Sequence, residues 1–171
     1  MDSFAFDCTS CGERHAGLPA LVYPTPFSYF ILSPERRAAS VMDSNYCTIE
    51  ERTFLLRCVF ELPIIGHDRV LEWGVWAAVR KADFDRYMDR FEADDRTAVG
   101  AMPALLDCPL KGYPDTLDLR CILYPQDKPL RPLLVLEPDQ DHVLLRDQVN
   151  GISRERAIEL IMLFMHPKGN G

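Results

Sequence analysis

Cys8-Thr9-Ser10-Cys11-Gly12 is the one local pattern in this chain with a chemical mechanism attached. A tight turn brings two cysteines at this spacing to one side, where their thiolates hold a tetrahedral zinc ion. The glycine after the second cysteine suits such a turn, because it takes a positive φ without a Cβ penalty. His15 follows four residues later, within reach of the same ion. A fourth ligand must come from farther away, and Cys47 is the first choice because it ends a polar stretch, Asp43-Ser44-Asn45-Tyr46. Zinc held this way pins a segment without its own core to the rest of the protein. Two other readings stay open: a redox dithiol, and a pair of free thiols. Redox CxxC sites open a helix after a strand, a context that the polar run after Gly12 does not match. A second CxxC, which would make the zinc signal strong, is absent.

The other chemistry-bearing residues are more scattered. Cys58 and Cys121 sit in apolar runs and are expected in the core, whereas Cys108 lies in a loop and fits either role. His67, beside Asp68 in a turn, is expected to be solvent-exposed, and His166 to sit at the C-terminal dipole of the last helix. His142 closes Glu137-Pro138-Asp139-Gln140-Asp141, a loop that could supply a general acid or a metal ligand, but with no nucleophile or glycine-rich cradle beside it a solvated surface is the favoured reading. No phosphate loop, dinucleotide fingerprint, HExxH or GxSxG element occurs.

These residues must be positioned by recognisable elements. Phe54, Leu56, Cys58, Phe60 and Leu62 alternate with Arg57 and Glu61, which predicts a half-buried strand. Residues 63–68 supply a turn. A second strand over 70–79 puts Leu71, Trp73, Val75, Ala77 and Val79 on one face, and the two strands are expected to pair antiparallel. Trp73 and Trp76 then face opposite sides, with the second expected under a helix or in a groove where a backbone or ligand comes close to Gly74. Phe84, Tyr87, Met88 and Phe91 mark an amphipathic helix. Ser33 and Ser153 read as N-caps of a short helix through Ala39 and of a last, unusually apolar helix carrying Ile158, Ile161, Met162 and Met165. Residues 100–114 read as loop, with strands expected in 116–124 and 131–136. The order of elements predicts an α+β fold: a mostly antiparallel sheet with flanking helices, and an irregular N-terminal segment pinned by zinc. One domain is expected over 1–171, with residues 1–50 packed on a body formed by 51–171.

The chain has 171 residues, with 19 Lys+Arg against 26 Asp+Glu for a net charge of −7, and 47% hydrophobic residues. Such a composition excludes disordered, collagen-like and mucin-like classes. The acidic balance argues against nucleic acid as a partner. The longest apolar stretch is far short of the ~20 residues a membrane span needs. The opening residues have no basic n-region, so a cytoplasmic location is expected, and membranes are not expected as partners.

Several strings in order along the chain carry a resemblance. They include Cys8-x-x-Cys11-Gly12-x-x-His15-x-Gly17-Leu18-Pro19, Cys47-x-Ile49, Glu61-Leu62-Pro63-Ile64, Trp73-Gly74-Val75-Trp76, Tyr113-Pro114-Asp115-Thr116-Leu117, Leu136-Glu137-Pro138, Asp141-His142 and Gln148-x-x-Gly151-Ile152. The chain resembles the bacterial family called domain of unknown function 2199 over nearly its whole length, departing from it at Val99-Gly100-Ala101-Met102. The resemblance implies a small cytosolic protein without an established activity. It carries the metal reading onto Cys8, Cys11, His15 and Cys47, and draws attention to Glu61, Asp115 and His142 as a polar pocket. The function expected from all this is a zinc-stabilised, non-enzymatic protein-binding module, with a homodimer through the last helix as one form of partner. A zinc-dependent hydrolase with an open metal position and a CxxC thiol oxidoreductase are the alternatives.

Overall fold

The computed structural model describes residues 4–167. A short antiparallel hairpin comes first, β1 (Ala5–Asp7) and β2 (Arg14–Ala16). Next are β3 (Leu21–Val22), two short helices α1 (Phe27–Phe30) and α2 (Pro34–Ala38), and the strands β4 (Val41–Met42) and β5 (Tyr46–Ile49). The Ser33 hydroxyl accepts from the Arg36 N–H and starts α2 as the sequence predicts. β6 (Thr53–Pro63) and β7 (Val70–Val79) form the long antiparallel hairpin, with Phe60 opposite Trp73 and Glu61 opposite Glu72. Helix α3 (Lys81–Asp89) and a 3-10 turn at Arg96–Val99 lead to β8 (Met102–Leu106), β9 (Arg120–Tyr124) and β10 (Leu133–Leu136). Helices α4 (Val143–Asn150) and α5 (Arg154–Met165) complete the described chain.

The α+β class holds, but the sheet is not the open, mostly antiparallel layer expected. β6, β7, β8, β9 and β10 close on themselves as a five-stranded barrel. Four of its seams are antiparallel and the fifth, β10 to β6, is parallel. Closure removes exposed sheet edges and requires strands tilted around a shared interior. The β6–β7 hairpin makes this possible because each outer edge is long enough for two neighbours. β5 pairs with residues 53–56 of β6, and β10 with Val59 and Phe60. On β7, β3 takes Trp73 and Gly74, and β8 takes residues 77–79. The alternating residues of the hairpin fill the interior, joined by Met102, Leu106, Cys121, Leu123 and Leu134, all fully buried. A buried side chain of this size stabilises by roughly 1.5–3 kcal/mol, so the barrel is the main source of stability.

The N-terminal 50 residues are more regular than expected. β3 lies parallel to β7 with Val22 paired to Gly74, and the Tyr23 N–H donates to the Gly74 carbonyl at 2.9 Å. The groove expected beside Gly74 is therefore filled by the chain's own backbone. Trp76 is fully buried there, its Nε1–H donating to the Tyr23 carbonyl at 3.0 Å. Helix α4 falls directly after the acidic loop, where the sequence reading placed no helix. Its Gln148 side chain accepts from Leu136 N–H and donates to Leu134 C=O, covering the free part of the β10 edge. Among the described residues, no helix is long and apolar enough to cross a membrane.

Candidate metal centre

The β1–β2 hairpin is short because its loop is a cysteine knuckle. The Cys8 N–H donates to the Glu13 carbonyl at 2.8 Å, and the Gly12 N–H to the Cys8 carbonyl at 2.8 Å. Gly12 has φ +75°, the left-handed conformation that a Cβ disfavours. The turn aims backbone donors at sulfur. Burial raises the Cys8 pKa, but the N–H groups of Cys11 and Ser10, aided by the Cys11 and His15 side chains, outweigh it and bring the thiol down to about 6. Cys11 accepts from the Glu13 N–H, which lowers its pKa, yet partial desolvation, the neighbouring Cys8 sulfur and the Glu13 charge leave it above the ordinary thiol value. One sulfur is thus prepared as a thiolate at neutral pH, and the second awaits a positive partner.

His15 lies on β2, paired with Phe6 and stacked against its ring at 5.3 Å between centroids. Its Nε2 lies 3.3 Å from the Cys11 sulfur. The fourth member arrives from the other end of the chain. Helix α5 begins at the Ser153 N-cap and packs Ala157, Leu160 and Ile161 into the core. Its first turn meets the hairpin through Arg154, which donates to the Ala5 carbonyl and lies over the Phe4 ring at 4.8 Å. Its C-cap is His166, whose ring centroid stands 6.2 Å from that of His15.

Ligand atoms of Cys8, Cys11, His15 and His166 all lie within 4.8 Å of one another. A tetrahedral zinc site with ordinary Zn–S and Zn–N lengths spaces its ligand atoms by about 3.3–3.8 Å, so a small inward movement completes the shell. The buried Nε2 of His166 has no hydrogen-bond partner, an orphan that a metal ion would satisfy. Two soft sulfurs and two imidazoles make a donor set suited to zinc.

Of the four ligands expected from sequence, the structure brings Cys8, Cys11 and His15 together and leaves Cys47 out of the group. Cys47 points inward from β5, opposite Leu55 and fully buried, with its thiol pushed up to about 11 by burial and by the charge of Asp107. The polar residues before it form the turn into β5, and the strand's alternation turns its side chain to the core. His166 was missed as a ligand because no spacing links it to the knuckle. The available signal was a histidine one step beyond an apolar helix that had to pack on the domain. His67 is also not the exposed residue expected: its side chain is only 13% accessible and packs edge-on against Phe4.

Of the remaining candidates, His142 has structural partners. His142 caps α4, its Nδ1 accepting from Leu144 N–H at 3.0 Å, while Nε2 lies 2.7 Å from the Pro114 carbonyl. Through these two contacts the ring clamps α4 to the 109–117 loop. Asp115 lines a cleft with Tyr113 and Thr116. Glu61 faces Glu72 across the hairpin, and burial, then that like charge, raise its pKa. Cys58 and Cys121 are core residues as expected, and Cys108 is buried with its sulfur accepting from the Trp76 N–H.

Fold and site together define a small α+β barrel protein whose N-terminal hairpin and C-terminal helix meet in a Cys2His2 cluster able to hold a metal ion. The chain belongs to the family of uncharacterised proteins conserved in bacteria known as domain of unknown function 2199, whose model matches residues 7–152. Cys8, Cys11 and His15 fall inside that match and His166 beyond it. No curated protein and no solved structure matches the chain.

Proposed function

We propose that Cys8, Cys11, His15 and His166 form a closed structural zinc centre, and that the protein is a zinc-stabilised, non-enzymatic protein-binding module. The observation that carries this reading is the convergence of four ligand atoms within 4.8 Å from the two ends of the chain. Four protein ligands fill a tetrahedral shell and leave no position for a reactive water. A hydrolase reading is further weakened by the adjoining cavity of about 150 Å³, whose walls are Phe6, Ile161, Met165 and residues 15–19, with no carboxylate among them. The thiol oxidoreductase reading needs an exposed attacking sulfur, whereas Cys8, the low-pKa thiol, is 2% accessible. As for a partner, the apolar face of α5 is largely spent within its own chain. Phe30 and Ile31, 64% and 62% accessible at the end of α1, are the better candidates for contact with another protein.

Elemental analysis of tag-free protein, with thiol titration before and after a chelator, tests the centre. About one zinc per chain, with the exposed Cys11 protected until the chelator is added, is expected. Metal-free protein with Cys11 freely reactive overturns it.

A further inference from the structure

On the far side of β6 from the barrel interior, a cleft of about 230 Å³ is lined by Arg57, Arg96, Lys128 and Arg131 together with Tyr87 and Phe91. Glu92 is the one carboxylate among its lining residues, and it is engaged by the Lys128 ammonium at 2.7 Å. Among the described residues, no carboxylate lies within ion-pair distance of Arg57, Arg96 or Arg131. This grouping is unexpected in a chain with seven more acids than bases, because like charges crowded together repel. Arg57 registers the crowding: burial lowers its pKa, and the positive charge of Arg131 lowers it further.

The guanidinium groups are also short of acceptors. The Nε of each of Arg57, Arg96 and Arg131 is buried without a hydrogen-bond partner. Arg96 is the most buried, being 6% accessible overall, with a long bond from its Nη1 to the Leu130 carbonyl at 3.4 Å and the Tyr87 hydroxyl beside it. It lies over the Phe91 ring at 4.7 Å, and Arg57 lies over Trp76 at 6.0 Å. Stacking on aromatic faces offsets part of the cost of burying a cation, but it does not serve the in-plane Nε–H groups; among the Nη groups, that of Arg57 reaches the Ser44 carbonyl at 3.3 Å. Native proteins rarely retain buried unpaired donors, and still more rarely three on like-charged groups in one cleft.

An oxyanion in the cleft offsets the like-charge crowding and supplies acceptors to the guanidinium N–H groups that line it. We propose that this cleft binds the phosphate group of a small phosphorylated molecule. Planar guanidinium forks match phosphate oxygens two at a time, and three of them provide for a dianion what a single carboxylate does not need. The cleft has more room than one phosphate fills, so the organic part of the ligand lies toward Tyr87 and Phe91. The site is separate from the Cys/His cluster, with which it shares no residue.

The test is calorimetric titration of the full chain with inorganic phosphate and with pyrophosphate, at an ionic strength held constant with chloride. Saturable binding is expected for both, tighter for pyrophosphate. Arg131→Gln and Arg57→Gln should each weaken it at least tenfold. Arg131→Lys, which keeps the charge but loses the fork, should fall between wild type and Arg131→Gln. Arg120→Gln, whose native partners are Glu137 and Asp139 elsewhere on the surface, should bind as wild type does. Lys128→Gln, at an exposed position, gives the same readout should the arginine variants not fold. Absence of saturable heat beyond that of chloride, or unchanged binding in the folded cleft variants, overturns the proposal.

Discussion

His166→Ala separates a zinc ion that merely decorates the N-terminal knuckle from one that helps hold the fold together. Cys8, Cys11 and His15 lie within one short stretch of sequence, so an unfolded chain can still bring all three to a metal ion. Binding to the unfolded state cancels the stabilisation that a ligand gives the folded one. His166 differs because it reaches the other three only when α5 is docked on the hairpin. The zinc-dependent part of global stability should therefore rest on His166. If the fourth ligand raises the affinity of the folded state about 100-fold over the three-ligand chain, zinc contributes about 2.7 kcal/mol. For a domain of this size each kcal/mol moves the Tm by about 2–4 °C, so saturating zinc should raise the wild-type Tm by about 5–11 °C. The variant should still bind zinc, more weakly, but its Tm should scarcely respond to zinc or to chelator. Thermal melts of both proteins with and without zinc make the comparison. A His166→Ala protein that keeps the full zinc-dependent shift would refute the reasoning, as would a wild type that shows none.

Asp107 gives the pH dependence a definite sign. Burial raises its carboxyl above the ordinary 3.8, even though Ser28 donates to it from both N–H and hydroxyl. The folded state holds this proton more tightly than the unfolded one. Its contribution to stability is therefore full below pH 3.8 and is lost as the pH rises through the folded pKa. Asp107→Asn removes that loss, so urea melts should show the variant gaining on wild type between pH 3.5 and pH 7; the opposite trend contradicts the assignment. Gly151→Ala should cost about 2 kcal/mol in a urea melt. Gly151 has φ +79° and ψ 167°, a region nearly closed to other residues, and a Cβ there would stand 3.1 Å from the Pro63 carbonyl. Trp76→Phe should destabilise by about 1–3 kcal/mol, because the half-buried Tyr23 carbonyl loses its donor, and a loss below about 0.5 kcal/mol would count against that bond.

Patterns with a short period were legible in the sequence. The alternation through 54–62 and 70–79, the amphipathic stripe of α3, and the Ser33 and Ser153 caps each depend on a few neighbouring residues, and each element formed where expected. Residues 102–106 did not read as a strand because Pro103 lies among them. β8 accommodates it at its second position, with Met102, Ala104 and Leu106 still turned inward. The first 50 residues hid their strands because β3, β4 and β5 are two to four residues long and exist only by pairing with the β6–β7 hairpin or with one another. Such short strands have no stability without neighbours, so their own composition need not declare them.

The sequence by itself determined the long central hairpin, the helix faces and the Cys-x-x-Cys-Gly knuckle with His15, because helix and strand periodicity and turn chemistry act over a few residues. Only the tertiary structure decided that the sheet closes into a barrel, that Cys47 turns to the core and that His166 completes the cluster. It alone brought Arg57, Arg96 and Arg131 to one cleft. Each of these depends on contacts between segments far apart in the chain. Their partners are chosen by packing and by the pairing of long strand edges, and no local spacing records that choice.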